Sequence, residues 1–196
     1  WKAHRKRGYP QRWDLSTSAD HQKWYREGIG LKTGPVPAGA FSLSANGETA
    51  VSGIHPGGTY THLVSTKHGG LLTSPDIDLD DAYEIWLRLK GAERSMSRYV
   101  VFNYPRNGTV YPVRDMRDDQ DRWHWQRYDV DYWSGDEIHL EVATSDDAPL
   151  LVRDKPRSWF GVREIVMVKK GEPTPPKTPR RYLAPIFSIT QENSVE

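Results

Sequence analysis

The sequence predicts an all-β fold, a β-sandwich or jelly roll of two antiparallel sheets, on three observations. Turn signals recur at short intervals between Trp13 and Gly171, the segments between them are short, and the clearest of those segments alternate apolar and polar residues. The turn signals are Gly28–Gly30, Pro35–Gly39, Asn46-Gly47, Pro56-Gly57-Gly58, Gly69-Gly70, Asn107-Gly108 and Ser134-Gly135-Asp136.

Taken in order, residues 1–12 are basic and aperiodic and read as a linker or arm, and the opening Trp1 suggests an excised or processed piece. Residues 13–171 form the sandwich module. A short helical turn is expected near Ser18–Tyr25. Nine strands are expected, near Ala40–Ser44, Thr49–Ile54, Tyr60–Val64, Gly70–Thr73, Ala82–Lys90, Ser97–Tyr104, Gln126–Asp131, Glu137–Ala143 and Gly161–Val168. In the fifth, Tyr83, Ile85, Leu87 and Leu89 share one face, while Glu84, Trp86, Arg88 and Lys90 share the other. Glu137–Ala143 repeats the pattern, with Ile138, Leu140 and Val142 inward and His139 and Glu141 outward. Residues 105–125 read as a long polar loop holding Asp115, Asp118, Asp119 and Asp121. Residues 172–196, with Pro at 173, 175, 176, 179 and 185, read as a semi-rigid linker to a next domain.

Composition narrows the function. With 27 basic and 26 acidic residues, nothing favours a nucleic-acid or anionic-membrane partner. No stretch approaches the roughly 18 apolar residues of a membrane span. Cys is absent, which removes disulfides, thiolate metal sites and Cys nucleophiles. No nucleophile-elbow, His-Glu-x-x-His or phosphate-loop motif occurs. His55, His62 and His68 fall close together around a Gly-rich turn and read as structural rather than as a zinc site. The unusual feature is 8 Trp and 10 Tyr against 4 Phe. These rings pair a flat apolar face with a polar handle, a combination suited to sugars and peptides.

Three runs carry a family resemblance: Gly58–Leu79 with its Leu72-Thr73-Ser74-Pro75, Trp125–Val130 followed by Tyr132–Asp136, and Trp159–Ile165. Together they resemble the β-sandwich module embedded in large planctomycete-type cytochrome-c-domain proteins, over roughly residues 13–171. The resemblance implies a galactose-binding-like jelly roll, the architecture of many carbohydrate-binding modules, within a larger extracytoplasmic (periplasmic, cell-surface or secreted) protein. No Cys-x-x-Cys-His haem attachment site is present. The family's final strand has Asp before its aliphatic pair, and this sequence departs from that with Arg163-Glu164.

The expected function is noncatalytic polysaccharide binding, with neighbouring domains of the parent chain as further partners. A structural spacer is the alternative and a polysaccharide-cleaving jelly roll the remote one. The candidate ligand-binding residues are Trp86, Arg88, His139 and Glu141, supplemented by Trp123, Tyr104 and Tyr111. Of Trp123 and Trp125, Trp125 is expected in the core by analogy with the family pattern. No cofactor is required. A structural calcium ion is expected at oxygen ligands drawn from Asp76, Asp78, Asp80 and Glu164, with Asp81 beside them.

Overall fold

The computed structural model describes residues 7–43, 51–64, 68–91, 95–102, 110–115, 122–144 and 158–176, with backbone alone at 43, 51, 52 and 110–115. Thirteen strands occur among them: β1 (Gln11–Asp14), β2 (Tyr25–Glu27), β3 (Ala40–Leu43), β4 (Val51–His55), β5 (Thr59–Tyr60), β6 (Leu71–Thr73), β7 (Ile77–Asp78), β8 (Tyr83–Gly91), β9 (Met96–Val101), β10 (Val110–Asp115), β11 (His124–Asp129), β12 (Glu137–Ala143) and β13 (Phe160–Lys169). Helix α1 (Ser18–His21) is capped by Thr17, whose hydroxyl accepts from the Asp20 amide at 3.3 Å. A 3₁₀ turn spans Asp131–Trp133. Gly135, at φ +95° in the turn before β12, holds a left-handed conformation that a side chain would strain.

The strands make two antiparallel sheets, a jelly-roll sandwich. The front sheet runs β1-β13-β8-β11, with β5 also on β13. The back sheet runs β10-β9-β12-β6-β2, with β7 also on β12. β3 and β4 form a separate hairpin. The count exceeds nine by β1, β2 and β7, which are two to four residues long and too short to show periodicity, and by β10, while the strand expected at Tyr60–Val64 is the two-residue β5. Strand β10 occupies part of the segment expected as a polar loop. Asp115 ends it, and Asp118, Asp119 and Asp121 lie outside the described residues. Strand β1 begins at Gln11, inside the segment read as an arm, because Trp13 is needed in the core.

The inward faces follow the alternation. Ile85, Leu87 and Leu89 of β8 and Ile138, Leu140 and Val142 of β12 are all fully buried in one cluster between the sheets. Each such side chain contributes roughly 1.5–3 kcal/mol by leaving water. α1 closes one end, where Trp24 packs edge-on to Trp13 with ring centroids 5.7 Å apart. Buried His21 lies three residues before Trp24, and burial pushes its pKa down to about 4. The flanking segments also meet: Arg7 Nη1 donates to the carbonyls of Pro173 (2.6 Å) and Thr174 (3.1 Å), and Pro175 is buried.

Candidate ligand-binding face

Strand β8 is central to the front sheet and turns Glu84, Trp86, Arg88 and Lys90 outward. Its neighbours extend that face in register. Arg127 of β11 stands opposite Trp86, Trp125 opposite Arg88, and Asp129 opposite Glu84. On the other side Val166 faces Trp86 and Glu164 faces Arg88. Trp123, just before β11, and Trp159, just before β13, bracket Lys90, whose Nζ lies 5.9 Å and 5.3 Å from their ring centroids. Arg88 stands in the same relation to Trp125, 6.0 Å from its centroid. Trp86, Trp123, Trp125 and Trp159 are all half-buried, whereas Arg88 (4% exposed) and Lys90 (9%) are buried between them. The face is therefore a strip of four indoles with cations set into its floor.

Beside Lys90 the strip ends in a packed ring cluster. Gly161 leaves room for it: a Cβ there would lie 2.7 Å from Cδ1 of Tyr60. Tyr60 meets Trp123 (centroids 6.0 Å), His55 (5.2 Å) and His62 (5.8 Å). His62 lies over Trp159 at 3.9 Å. Burial, then the positive charge of Lys90, push the His62 pKa down to about 3, so this imidazole is neutral at physiological pH. Burial raises the Tyr60 pKa, and its hydroxyl donates to the Pro56 carbonyl. These groups wall the strip. His55 and His62 do approach each other, with centroids 5.5 Å apart, as the sequence suggested.

At the opposite end, Trp86 is oriented by hydrogen bonds. Its indole Nε1 donates to Glu84 Oε2 at 3.1 Å, and Arg127 Nη2 donates to Glu84 Oε1 at 2.6 Å. Arg127 first, through its hydrogen bond, holds the Glu84 carboxyl below its ordinary pKa.

The structure places Trp86, Arg88 and Trp123 on one outer face and separates them from His139 and Glu141. Those two belong to β12 of the back sheet, so they lie on the opposite outer surface of the sandwich. There His139 Nε2 meets Glu141 Oε1 at 3.0 Å, and Arg98 of β9 pairs with the same carboxylate. The His139 hydrogen bond, then Arg98, hold Glu141 below its ordinary pKa against the opposing effect of burial. Phe102 packs edge-on to His139 at 5.2 Å. Tyr104 lies outside the described residues, as does the side chain of Tyr111, whose backbone sits on β10 opposite Tyr99. Trp125, expected in the core, points outward instead. Tyr128 is the inward residue of β11, and the two are three positions apart. Trp125 and Trp159 are the aromatic members of the face that sequence reasoning missed; Lys90 was placed on it by alternation but not named as a candidate.

The proposed calcium ligands do not fit as a set. Glu164 is engaged by Arg12 at 2.8 Å, and Asp80 Oδ1 accepts from the Tyr83 hydroxyl at 2.5 Å. Asp76, Asp78 and Asp80 line a cleft of about 610 Å³ that Glu164 does not reach. Among the described residues, no three His, Asp or Glu side chains are grouped to hold a metal.

No family model matches the chain, and no curated protein matches it. Solved structures do. The TmCBM61 module, determined with β-1,4-galactotriose, is 12% identical over 75% of this chain and 88% of its own, with a TM-score of 0.42. The xylan-binding module CBM15 is 9% identical over 85% and 100%, at 0.40. The K1 cleaved adhesin domain of Lys-gingipain from Porphyromonas gingivalis W83 is 12% identical over 82% and 98%, at 0.47. No helix among the described residues is long and apolar enough to cross a membrane.

Proposed function

We propose that this chain is a noncatalytic polysaccharide-binding module of an extracytoplasmic protein, and that the outer face of its front sheet is the binding surface. The observation that carries this reading is the strip of four half-buried tryptophans, Trp86, Trp125, Trp123 and Trp159. A sandwich core has no use for indoles on its outer surface, and leaving apolar area wet costs roughly 25 cal/mol per Å². Sugar rings offer C–H faces to stack on such rings, and their hydroxyls can bond to the carboxylates and guanidinium beside them. Trp125 on β11 and Trp123 just before it are two residues apart, a spacing of roughly 7 Å in extended chain that lets successive rings meet successive parts of a glycan chain. An extended, open surface of this kind suits a polymer rather than a small molecule held in a pocket.

A cleaving role finds no support in the ring cluster. Tyr60, 2% exposed with a raised pKa and its hydroxyl committed to Pro56, is not poised as a base. A spacer role would need the strip fully covered, and Trp86 and Trp123 each keep part of their surface exposed.

The test is affinity electrophoresis of the intact chain through gels containing individual polysaccharides, with Trp86→Ala as the control. Retention that Trp86→Ala abolishes while the fold persists supports the reading. Absence of retention on every polysaccharide leaves the spacer role.

A further inference from the structure

The charged groups around Trp86 bear on which polysaccharides the strip would accept. Arg127 is the exposed cation nearest the ring in register, with 44% of its side chain exposed. Its Nη2 donates to Glu84 Oε1 (2.6 Å) and to Asp129 Oδ2 (3.1 Å). Asp129 Oδ2 also accepts from Lys170 Nζ at 3.4 Å, and Lys170 pairs in turn with Asp131. The result is a ladder of five charges along one edge of the face: Glu84, Arg127, Asp129, Lys170 and Asp131. Three carboxylates against two cations leave it one charge negative, and both cations are already bound. Farther along the strip, Arg88 and Lys90 are buried against indole rings, and Arg12 is paired with Glu164.

We propose that this face selects neutral polysaccharides and discriminates against uronate- or sulfate-bearing ones. The inference rests on the polysaccharide-binding reading above and narrows it. At the Trp86 end, an anionic ligand would have to displace a carboxylate from Arg127 or Lys170 and then sit beside the carboxylates it displaced, and like charges in contact are unfavourable. A neutral sugar meets no such cost. Each carboxylate oxygen has a further lone pair to accept a hydroxyl proton, and a guanidinium has five N–H donors, of which the ladder engages those on Nη2. Arg127 and Asp129 side by side offer a donor and an acceptor to adjacent hydroxyls, next to the Trp86 ring.

The experiment is affinity electrophoresis of the full chain in gels containing xylan, galactan or laminarin and, separately, alginate, polygalacturonate or chondroitin sulfate, at low and high salt. The expected result is retention on at least one neutral polymer, at least about tenfold tighter than on any acidic one, and insensitive to salt. The Asp129→Asn, Asp131→Asn double variant frees Lys170, leaves Arg127 paired with Glu84 alone, and is expected to gain salt-sensitive retention on the acidic gels. Tighter wild-type retention on an acidic polymer, lost in Trp86→Ala, overturns the inference and leaves the binding face intact. Failure of the double variant to gain acidic retention also overturns it. No retention of any variant on any gel removes the polysaccharide-binding reading itself.

Discussion

The two outer surfaces of this sandwich are written in the same sequence grammar and carry different chemistry. Strand β8 alternates Tyr83, Ile85, Leu87 and Leu89 against Glu84, Trp86, Arg88 and Lys90. Strand β12 alternates Ile138, Leu140 and Val142 against His139 and Glu141. On the front, the outward residues combine with Trp125 of β11, with Trp123 just before it and with Trp159 into a ring-lined strip. On the back, His139, Glu141 and Arg98 close on one another in a small ion network. Strand alternation thus decides what points out, and sheet membership decides which outward residues meet. A face whose polar groups satisfy each other has little left to offer a ligand. A face with half-exposed rings beside hydrogen-bonding groups has more.

The largest expected effect that separates the two faces is on binding. Trp86→Ala should weaken polysaccharide retention at least about tenfold while costing less than about 2 kcal/mol of stability, since the ring lies outside the core. His139→Ala should leave retention unchanged. Affinity electrophoresis paired with thermal melts checks both, and loss of retention in His139→Ala would transfer the site to the back face.

The next effect is on acid stability. The unfolded His62 takes up a proton near its ordinary pKa of 6.5, whereas in the folded chain it does so only near 3. The unfolded state therefore binds the extra proton between those values, and stability falls as pH drops below 6.5. From pH 6.5 to pH 5 this one group accounts for up to about 2 kcal/mol, and His21, depressed to about 4, acts in the same direction. Glu141 on the back face works lower on the scale. Its depressed pKa stabilises the fold above the ordinary value of 4.5 and loses that contribution as pH falls through the folded value. Urea titrations at pH 7 and pH 5 should show the drop, and His62→Phe should flatten it while keeping a ring over Trp159. An unchanged drop would mean that His62 is solvated.

The smallest effect is expected from the back-face network itself. Arg98→Met removes a partly exposed partner of Glu141 and should cost about 1 kcal/mol or less, with retention unaltered.

Much of this was legible in the sequence, and the failures have physical reasons. The class of fold, the inward faces of β8 and β12, and Trp86 beside Arg88 all follow from period-two alternation. The alternation also contained Trp125. With Tyr128 inward, Gln126 and His124 fall on the same parity, so Trp125 and Arg127 must face out. The family analogy that placed Trp125 in the core overrode a better local signal. The pairing of Trp86 with His139 and Glu141 failed for a different reason, because strand periodicity carries no information about which sheet a strand joins. Strand β10 was hidden by Pro112, which breaks a strand pattern and here falls where the register with β9 shifts. Strand β1 offers just one apolar residue, Trp13, in four. The four calcium candidates are not grouped, because carboxylates are common in loops and composition cannot say that Glu164 would be taken by Arg12.

The central claim is that glycan binds to the front face, and the indole N–H resonances report on it most directly. In a ¹⁵N-labelled sample titrated with xylohexaose, laminarihexaose and galactotriose, the signals of Trp86, Trp123, Trp125 and Trp159 should shift with a productive ligand. Those of Trp13 and Trp24, buried in the core, and of Trp133, whose Nε1 donates to the Tyr99 hydroxyl at 3.1 Å, should stay in place. Shifts confined to Trp133 and to backbone amides around His139, with the four front-face indoles silent, would contradict the account.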